Sequence, residues 1–380
     1  MPDALTEIRI SRSALIHNVK AFRRVIGSQV KLMAVVKSNA YGHGVGECAP
    51  VFAKAGADWF GVASLSEALK LRKTVSRKKV IVLSYIDGDT QMLTAAIQQG
   101  IRLPAYTVAQ LCLYQRVARK LHKHAIVHLK FDTGTTRIGF LPKDLPQVVK
   151  FIRQLSNVRT EGVYSHFAEV EAKQQTFSQM QHRRFATLAE SLELSLGKQL
   201  IKHMDCSAGV LVHPDAHFDM VRIGMSLYGI LTVADLRRVH VRFPKFSLRP
   251  ALSWYTRVLQ VKNVPSGTTI GYNRTYTTKR PTNIAVLPVG YWDGLDRKLS
   301  NVGKVLICKQ YAPIRGRVCM NLTMVDVTDI PSTRAGRSVT LIGCDGTTCI
   351  PAETLAKQIG TIPYEVLTRI NPLLPRTLVP

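Results

Sequence analysis

Two periodicities divide the chain. From residue 12 to about 230, continuous apolar runs alternate with amphipathic segments. Leu32 to Val36 is such a run, as expected of a strand buried on both faces. Similar runs are Trp59 to Ala63, Val80 to Leu83, Ile101 to Ala105, Ala125 to Leu129, Gly162 to Tyr164, Leu200 to Met204 and Met220 to Ile223. Between most of them the spacing is helical. Leu15, Val19, Phe22 and Ile26 share one face, and Gln175 to Leu194 is a long helical segment. Ser64 with Glu67, and Thr107 with Gln110, have capping-box spacing and open two more helices. Strands joined by helical crossovers in this number predict an α/β fold, an eight-stranded parallel (β/α)8 TIM-like barrel. An open doubly wound sheet is the alternative, and the seventh-to-eighth connection is short.

Residues 231–250 carry a basic run with Pro244 and Pro250 and read as a boundary. Beyond them the period falls to two. Leu252, Trp254, Thr256 and Val258 alternate with other residues, and Val286, Val305, Ile307, Val325, Val327 and Val339 lie in short runs broken by turn residues. Only Ala352 to Gln358 and Tyr364 to Ile370 read as helices. The expected organisation is a barrel over 1–240 and a mainly β domain over 241–380. Asp87-Gly88-Asp89 reads as a turn.

Composition narrows the class. In 380 residues, 46% are apolar and 20% charged, which excludes disorder and a coiled-coil rod. No apolar run approaches the roughly 20 residues that cross a bilayer, and the opening residues lack a signal-peptide pattern. Seven scattered cysteines without C-x-x-C suit a reducing cytoplasm, and neither a disulfide framework nor a zinc site. His213 and His217 flank Pro214 in a loop and do not read as a metal pair; no metal is expected. The net charge of +27 can mark a nucleic-acid binder, but the basic residues are dispersed and no recognition motif accompanies them. Neither a nucleic-acid nor a membrane partner is expected.

Function in such barrels gathers at the carboxyl ends of strands. Lys37 follows the first strand, Lys130 ends the fifth with Arg137 beyond it, and His166 ends the sixth. Ser207 follows the seventh, and Arg222 with Gly224 and Met225 lies at the eighth. A lysine partly desolvated by a buried strand has a lowered pKa and suits Schiff-base chemistry. Ser207 and the backbone beside Gly224 suit a phosphate. Lysine and phosphate cradle together suggest pyridoxal 5'-phosphate. Gly42-x-Gly44-x-Gly46 lacks the context of a dinucleotide fingerprint.

The motifs AVVKSNAYGHG, ADWFGVASLSEALKLR, DTGTTRIG, YSHF, RIGMSLYG, TIGYNRTY, GYWDG, RGRVCMN and PYEVLTRI resemble, in order over nearly the whole chain, those of the alanine racemase family. The resemblance implies a homodimer with composite active sites, acting on alanine and supplying D-alanine for peptidoglycan. It implies that Lys37 holds the cofactor and is one base, and that Tyr272 from the partner chain is the other. Two opposed bases suit proton removal on one face and delivery on the other. A phenol is a poor base at neutral pH unless cationic neighbours stabilise its phenolate; the resemblance implies that His166 hydrogen-bonds Tyr272. Arg222 would face the ring nitrogen and leave it unprotonated, because an arginine keeps its proton. Tyr41, Ser207, Gly224, Met225 and Tyr364 match phosphate contacts. Arg137, Tyr291 and the N–H of Met320 match substrate contacts, and Lys130 matches a lysine that is often carbamylated. Two departures stand out. Asn321 replaces an aspartate and opens a serine-preferring or broader specificity as an alternative, and Cys206 stands where asparagine is usual. A non-catalytic cofactor carrier is a further alternative, against which the β domain with Tyr272 and Met320 speaks.

Overall fold

The computed structural model describes residues 4–86, 89–233 and 236–380. They form two compact units. One comprises 14–40 and 48–249; the other comprises the residues up to Ser13, the segment 41–47, and 250–380. The chain opens with β1 (Glu7–Ser11). Then follow β2 (Lys31–Val35), β3 (Trp59–Val62), β4 (Lys79–Val82), β5 (Leu103–Ala105), β6 (Ala125–Lys130), β7 (Val158–Tyr164), β8 (Ile201–His203) and β9 (Met220–Ile223).

Strands β2 to β9 build the first unit. They fall in two four-stranded parallel sheets, β4-β3-β2-β9 and β5-β6-β7-β8, where the sequence predicts one closed ladder. The physical reason for the break between β4 and β5 lies in Leu103-Pro104-Ala105: the strand is short and Pro104 has no N–H to give a ladder. One bridge, Ile81 opposite Arg102, spans the gap. Met33, Trp59, Ile81 and Met220 pack as one buried cluster, with Leu83 and Ile201 against it.

The helices follow the apolar periodicity. Arg12–Ile26 buries Leu15, Val19, Phe22 and Ile26. The long helix spans Thr176–Leu196 and stops at Gly197, whose φ of 63° provides the left-handed cap. Ser64 and Thr107 cap their helices by accepting from the N–H of Glu67 and Gln110. The reciprocal bond goes one residue further back than in a capping box. Glu67 accepts from Ala63 N–H and Gln110 from Tyr106 N–H. The connection from β8 to β9 holds one helical turn, Gly209–Val212, and a 3-10 turn, Pro214–Ala216. Asp87 and Gly88 lie outside the described residues; Asp89 caps the helix Thr90–Gln98.

In the second unit β1 pairs antiparallel with β10 (Leu252–Arg257). The remaining strands are β11 (Gln260–Val264), β12 (Thr269–Ile270), β13 (Tyr276–Thr277), β14 (Thr282–Leu287), β15 (Lys304–Ile307), β16 (Gln310–Pro313), β17 (Thr323–Asp326), β18 (Ser338–Asp345), β19 (Thr348–Ile350) and β20 (Arg376–Val379). The main sheet has the order β16-β15-β18-β10-β1-β20, with β19 on β18. A second sheet is β11-β14-β17. Strand β1 thus packs within the second unit, although it precedes residue 240. Its Ile8 and Ile10 are fully buried, so the backbone groups on its two edges need partners, supplied by β10 and by the parallel β20. The antiparallel register of β18 and β19 sets Cys344 opposite Cys349, and the two are joined in a disulfide. This is one local pair and not a framework, and a C-x4-C spacing becomes such a pair only when the intervening residues turn. No helix among the described residues is long and apolar enough to cross a membrane.

Gly162 makes room for a buried neighbour. A Cβ on it would stand 2.4 Å from His128 Nδ1 and 2.6 Å from the Ile201 carbonyl oxygen. Gly162→Ala is therefore expected to cost about 1–3 kcal/mol by overpacking, read as a lower urea midpoint at unchanged slope; an unchanged midpoint would contradict this packing.

Candidate active site

The carboxyl ends of β2, β6, β7, β8 and β9 bear the first unit's polar cluster. Lys37 follows β2, and the residues after it run in the left-handed region. Ser38, Asn39 and Ala40 have φ of 53°, 53° and 55°, with ψ near 50°; Tyr41 has φ of 52°. Left-handed backbone costs L-residues roughly 1–2 kcal/mol each, so this turn has to be held from outside. The Glu67 carboxylate holds it by accepting from Ser38 N–H at 2.6 Å. Burial lowers the Lys37 pKa and Arg137 lowers it further, against an opposing pull from Glu67. The amine is thereby biased toward its neutral, nucleophilic form.

Lys130 ends β6, buried and 5.4 Å from the Tyr164 ring centre. Burial, then Arg137 and Arg222, bring its pKa down to about 7. The next loop is fixed by Asp132, which accepts from the N–H groups of Gly134, Thr135 and Arg137, each at 2.8 Å. Burial would raise that carboxyl, but these donors outweigh it and keep it ionised. Gly139 is required here: a Cβ would sit 2.6 Å from Asp132 N. Arg137 emerges from this loop exposed.

Arg222 is the buried centre. Its Nη1 donates to His203 Nδ1 at 2.9 Å. Its Nη2 donates to the carbonyls of Ser165 and Met204, both at 2.8 Å, and to His166 Nδ1 at 3.1 Å. A guanidinium has no acceptor, so both imidazole Nδ1 atoms must accept, and each ring carries its proton on Nε2. Burial first, then Arg222, push both histidines well below the usual imidazole pKa, so both are neutral. Ser207 Oγ accepts from Gly224 N–H at 3.0 Å, which joins the loop after β8 to the one after β9. Met225 is buried beside it. Cys206 has its thiol pushed up to about 11 by burial, so it stays protonated. The neighbouring Asp205 carboxyl, fully buried, is raised well above the carboxylate range by burial, against a pull from Arg222.

The second unit carries the rest of the expected residues. Tyr41 and Tyr364 meet edge to face, with ring centres 6.1 Å apart. Gly42 is needed beside them, since a Cβ there would lie 2.1 Å from the Leu367 carbonyl oxygen. Tyr291 N–H donates to Cys319 O and Trp292 N–H to Met320 O, both at 3.0 Å. These two stitched segments expose Tyr291, Trp292 and Met320 at 43%, 58% and 55%. Tyr272 follows Gly271, whose φ is 70°, and is 71% exposed. The first unit thus gathers Lys37, Lys130, Arg137, His166, Ser207, Arg222, Gly224 and Met225, while Tyr41, Tyr364, Tyr272, Tyr291 and Met320 lie in the other.

The sequence reading missed Glu67, Asp132 and His203 as supports. His203 had a signal, a histidine set between the apolar residues Ile201 and Met204 at the end of a strand. Glu67 had been assigned to its own helix cap, and its bond to Ser38 depends on two strands lying side by side.

Known proteins share this architecture. The family model for the alanine racemase N-terminal domain matches residues 10–232, and that for the C-terminal domain matches 251–378. An alanine racemase of Methanococcus maripaludis is 38% identical over 97% of this chain and 96% of its own length. That of Leptospira interrogans is 37% identical, over 98% and 95%. The structure of alanine racemase from Bacillus anthracis with bound L-Ala-P superposes with a TM-score of 0.91 at 32% identity, covering all of this chain and 96% of that one. The enzyme from Bartonella henselae with covalently bound pyridoxal phosphate does so at 0.86 and 27%, covering 99% and 100%. On the motif order, the two-unit architecture and these matches, the chain belongs to the alanine racemase family, with a barrel-type N-terminal domain and a β C-terminal domain.

Proposed function

We propose that the protein interconverts L- and D-alanine with pyridoxal 5'-phosphate by a two-base mechanism, in a homodimer whose sites draw on both chains. The observation that carries this reading is the conjunction at the strand ends of a lysine with a lowered pKa, a buried arginine, and the Ser207–Gly224 junction of two loops. The family is pyridoxal-phosphate-dependent, and these groups fit that cofactor. Lys37 suits its carbonyl carbon, the guanidinium of Arg222 its ring nitrogen, and Ser207 with the backbone of Gly224 and Met225 its phosphate, together with Tyr41 and Tyr364. When bound, the cofactor supplies a carbonyl for the substrate amine and a conjugated ring that takes up the electron pair left at the substrate Cα.

The chain's own groups do the rest. The Lys37 amine takes or returns the Cα proton on one face, and Tyr272 of the partner subunit serves the other. Arg137 binds the substrate carboxylate, helped by Met320 N–H and Tyr291 of the partner subunit. His166, neutral and protonated on Nε2, can donate to the Tyr272 oxygen and stabilise its phenolate. The exposed Tyr291, Trp292 and Met320, brought together by backbone bonds, and the exposed Tyr272 support a second copy as the partner, since large apolar side chains grouped in the open mark an interaction surface. In this reading residues 1–240 act as the cofactor-binding domain and 241–380 lend residues to the partner. The two parallel sheets are halves of one closed eight-stranded barrel. The Ile81–Arg102 bridge supports that closure on one side, and the bond from Arg222 N–H to Asp205 O, at 3.1 Å, supports it on the other.

Lys130 is expected to be carbamylated. With its pKa near 7 the amine is largely neutral at physiological pH and can attack carbon dioxide, releasing a proton and leaving an anion beside Arg137. In 13C-bicarbonate a carbamate carbonyl resonance is expected to grow as pH rises through about 7 and to vanish in Lys130→Gln; its absence in the wild type would leave Lys130 bare. Lys37→Arg is expected to abolish the cofactor's visible absorption band and turnover together. Tyr272→Phe should keep the band and lose about 10²–10⁴-fold in kcat; full activity in both directions would refute the two-base reading.

The second reading, a preference for serine, rests on Asn321, which is exposed beside Met320. Specificity constants for L-alanine and L-serine decide between the two. We expect alanine to be preferred, and a serine preference would overturn the assignment.

A further inference from the structure

Arg222 is one end of a longer buried chain. His203 carries its proton on Nε2, because its Nδ1 accepts from Arg222. That Nε2 lies 2.9 Å from His128 Nδ1. The donor must be His203, so His128 Nδ1 accepts and His128 is protonated on Nε2. This N–H in turn points at Glu161 Oε2, 3.3 Å away. Every hydrogen bond therefore runs the same way, from Arg222 through His203 and His128 to Glu161. Both imidazoles are fully buried, and Glu161 is partly buried, its side chain 14% exposed.

The carboxylate is fixed in its acceptor role from the other side. Arg102 Nε donates to Oε2 at 2.9 Å and Arg102 Nη2 to Oε1 at 3.1 Å, with Lys79 Nζ 3.4 Å from Oε1. Donors press on both oxygens, so Glu161 remains ionised and can only accept. A protonated His128 is excluded by the same logic. Its Nδ1–H would force His203 to accept on Nε2 and to carry its proton on Nδ1, against Arg222 Nη1–H. The ring of Tyr164, stacked on His203 at 4.9 Å with the planes 3° apart, keeps that imidazole in plane.

We propose that Glu161, with His128 and His203, acts as a positioning unit for racemisation: the carboxylate sets the direction of the hydrogen bonds that hold the charged Arg222 guanidinium against the cofactor's ring nitrogen. This inference rests on the reading that Arg222 faces that nitrogen. The two imidazoles are oriented dipoles, lone pair toward Arg222 and N–H toward Glu161, which stabilises a buried cation where burial holds the neighbouring Asp205 carboxyl toward its protonated form. A carboxylate beside Arg222 would pair with it and dull its donors; one placed two imidazoles away keeps the donors free for the ring.

The experiment uses holoenzyme reconstituted with pyridoxal phosphate labelled with 15N in the ring. Glu161→Gln places an amide N–H against an Arg102 donor in either orientation. In that variant the ring 15N resonance is expected to move and kcat to fall about tenfold with KM for alanine changed less than about twofold. Glu161→Asp should restore the resonance at least in part. Arg222→Lys tests the underlying reading separately. If Arg222→Lys leaves the ring resonance unmoved, that reading fails. If it moves the resonance while Glu161→Gln does not, the reading stands and the positioning unit is overturned. Neutron diffraction of the wild-type holoenzyme covers the case of a variant that does not fold. Deuterium on Nε2 of both His128 and His203, and none on Nδ1, is the expected result; deuterium on Nδ1 of His203 overturns the proposal.

Discussion

A guanidinium gives hydrogen bonds and takes none, and burying one dictates what must surround it. Arg222 is buried at the end of β9, so the ends of β7 and β8 must turn acceptors toward it: two carbonyls and two imidazole nitrogens. That requirement fixes the tautomers of His166 and His203 and ties three strand ends to one point. The loops that follow inherit their positions, including the one in which Ser207 meets Gly224. Alanine racemisation needs this kind of fixity. Its two faces differ only by the side from which a proton arrives, and a shift of a fraction of an ångström favours one hand over the other.

Around Arg222 the cations lie close enough to feel one another. Lys37, Lys130, Arg137 and Arg222 all depress the basicity of His166, and Arg137 does the same for Lys37 and Lys130. A cluster of that sign favours anions and deprotonated amines alike. It therefore suits both an anionic ligand and a lysine that must be uncharged to react. The excess of 52 basic over 25 acidic residues is spread over the whole chain, so the site accounts for a small part of it.

The parts of this structure that follow from short-range chemistry could be read from the chain. Continuous apolar runs marked the strands, and Ser64 and Thr107 marked two helix starts. Lys37 and Lys130 stood out because each directly follows such a run, His166 because it lies two residues beyond one, and Arg222 because it is a charge inside one. What escaped depends on pairing across large separations. Strand β1 finds partners more than 240 residues away, Cys344 and Cys349 meet only because a hairpin opposes them, and Glu67 reaches Ser38 across neighbouring strands. Pro104 was visible in the sequence, yet its effect, a ladder cut to one bridge, depends on which edge of the strand it faces. The left-handed turn after Lys37 has no glycine until Gly42, so nothing in its composition announces it.

Gly162 and His128 are locked into a joint history. The imidazole occupies the space where a side chain at 162 would begin. A lineage that enlarged position 162 would have to displace both that ring and the backbone carbonyl of Ile201, and a smaller residue at 128 would break the line of contacts between β6 and β8 while relieving only the first. One that kept the histidine could add a methyl group opposite it only by pushing the ring and the strand apart. The two sites, 34 residues apart in the chain, thus constrain each other, and an evolutionary path that changes either one alone passes through a less stable protein.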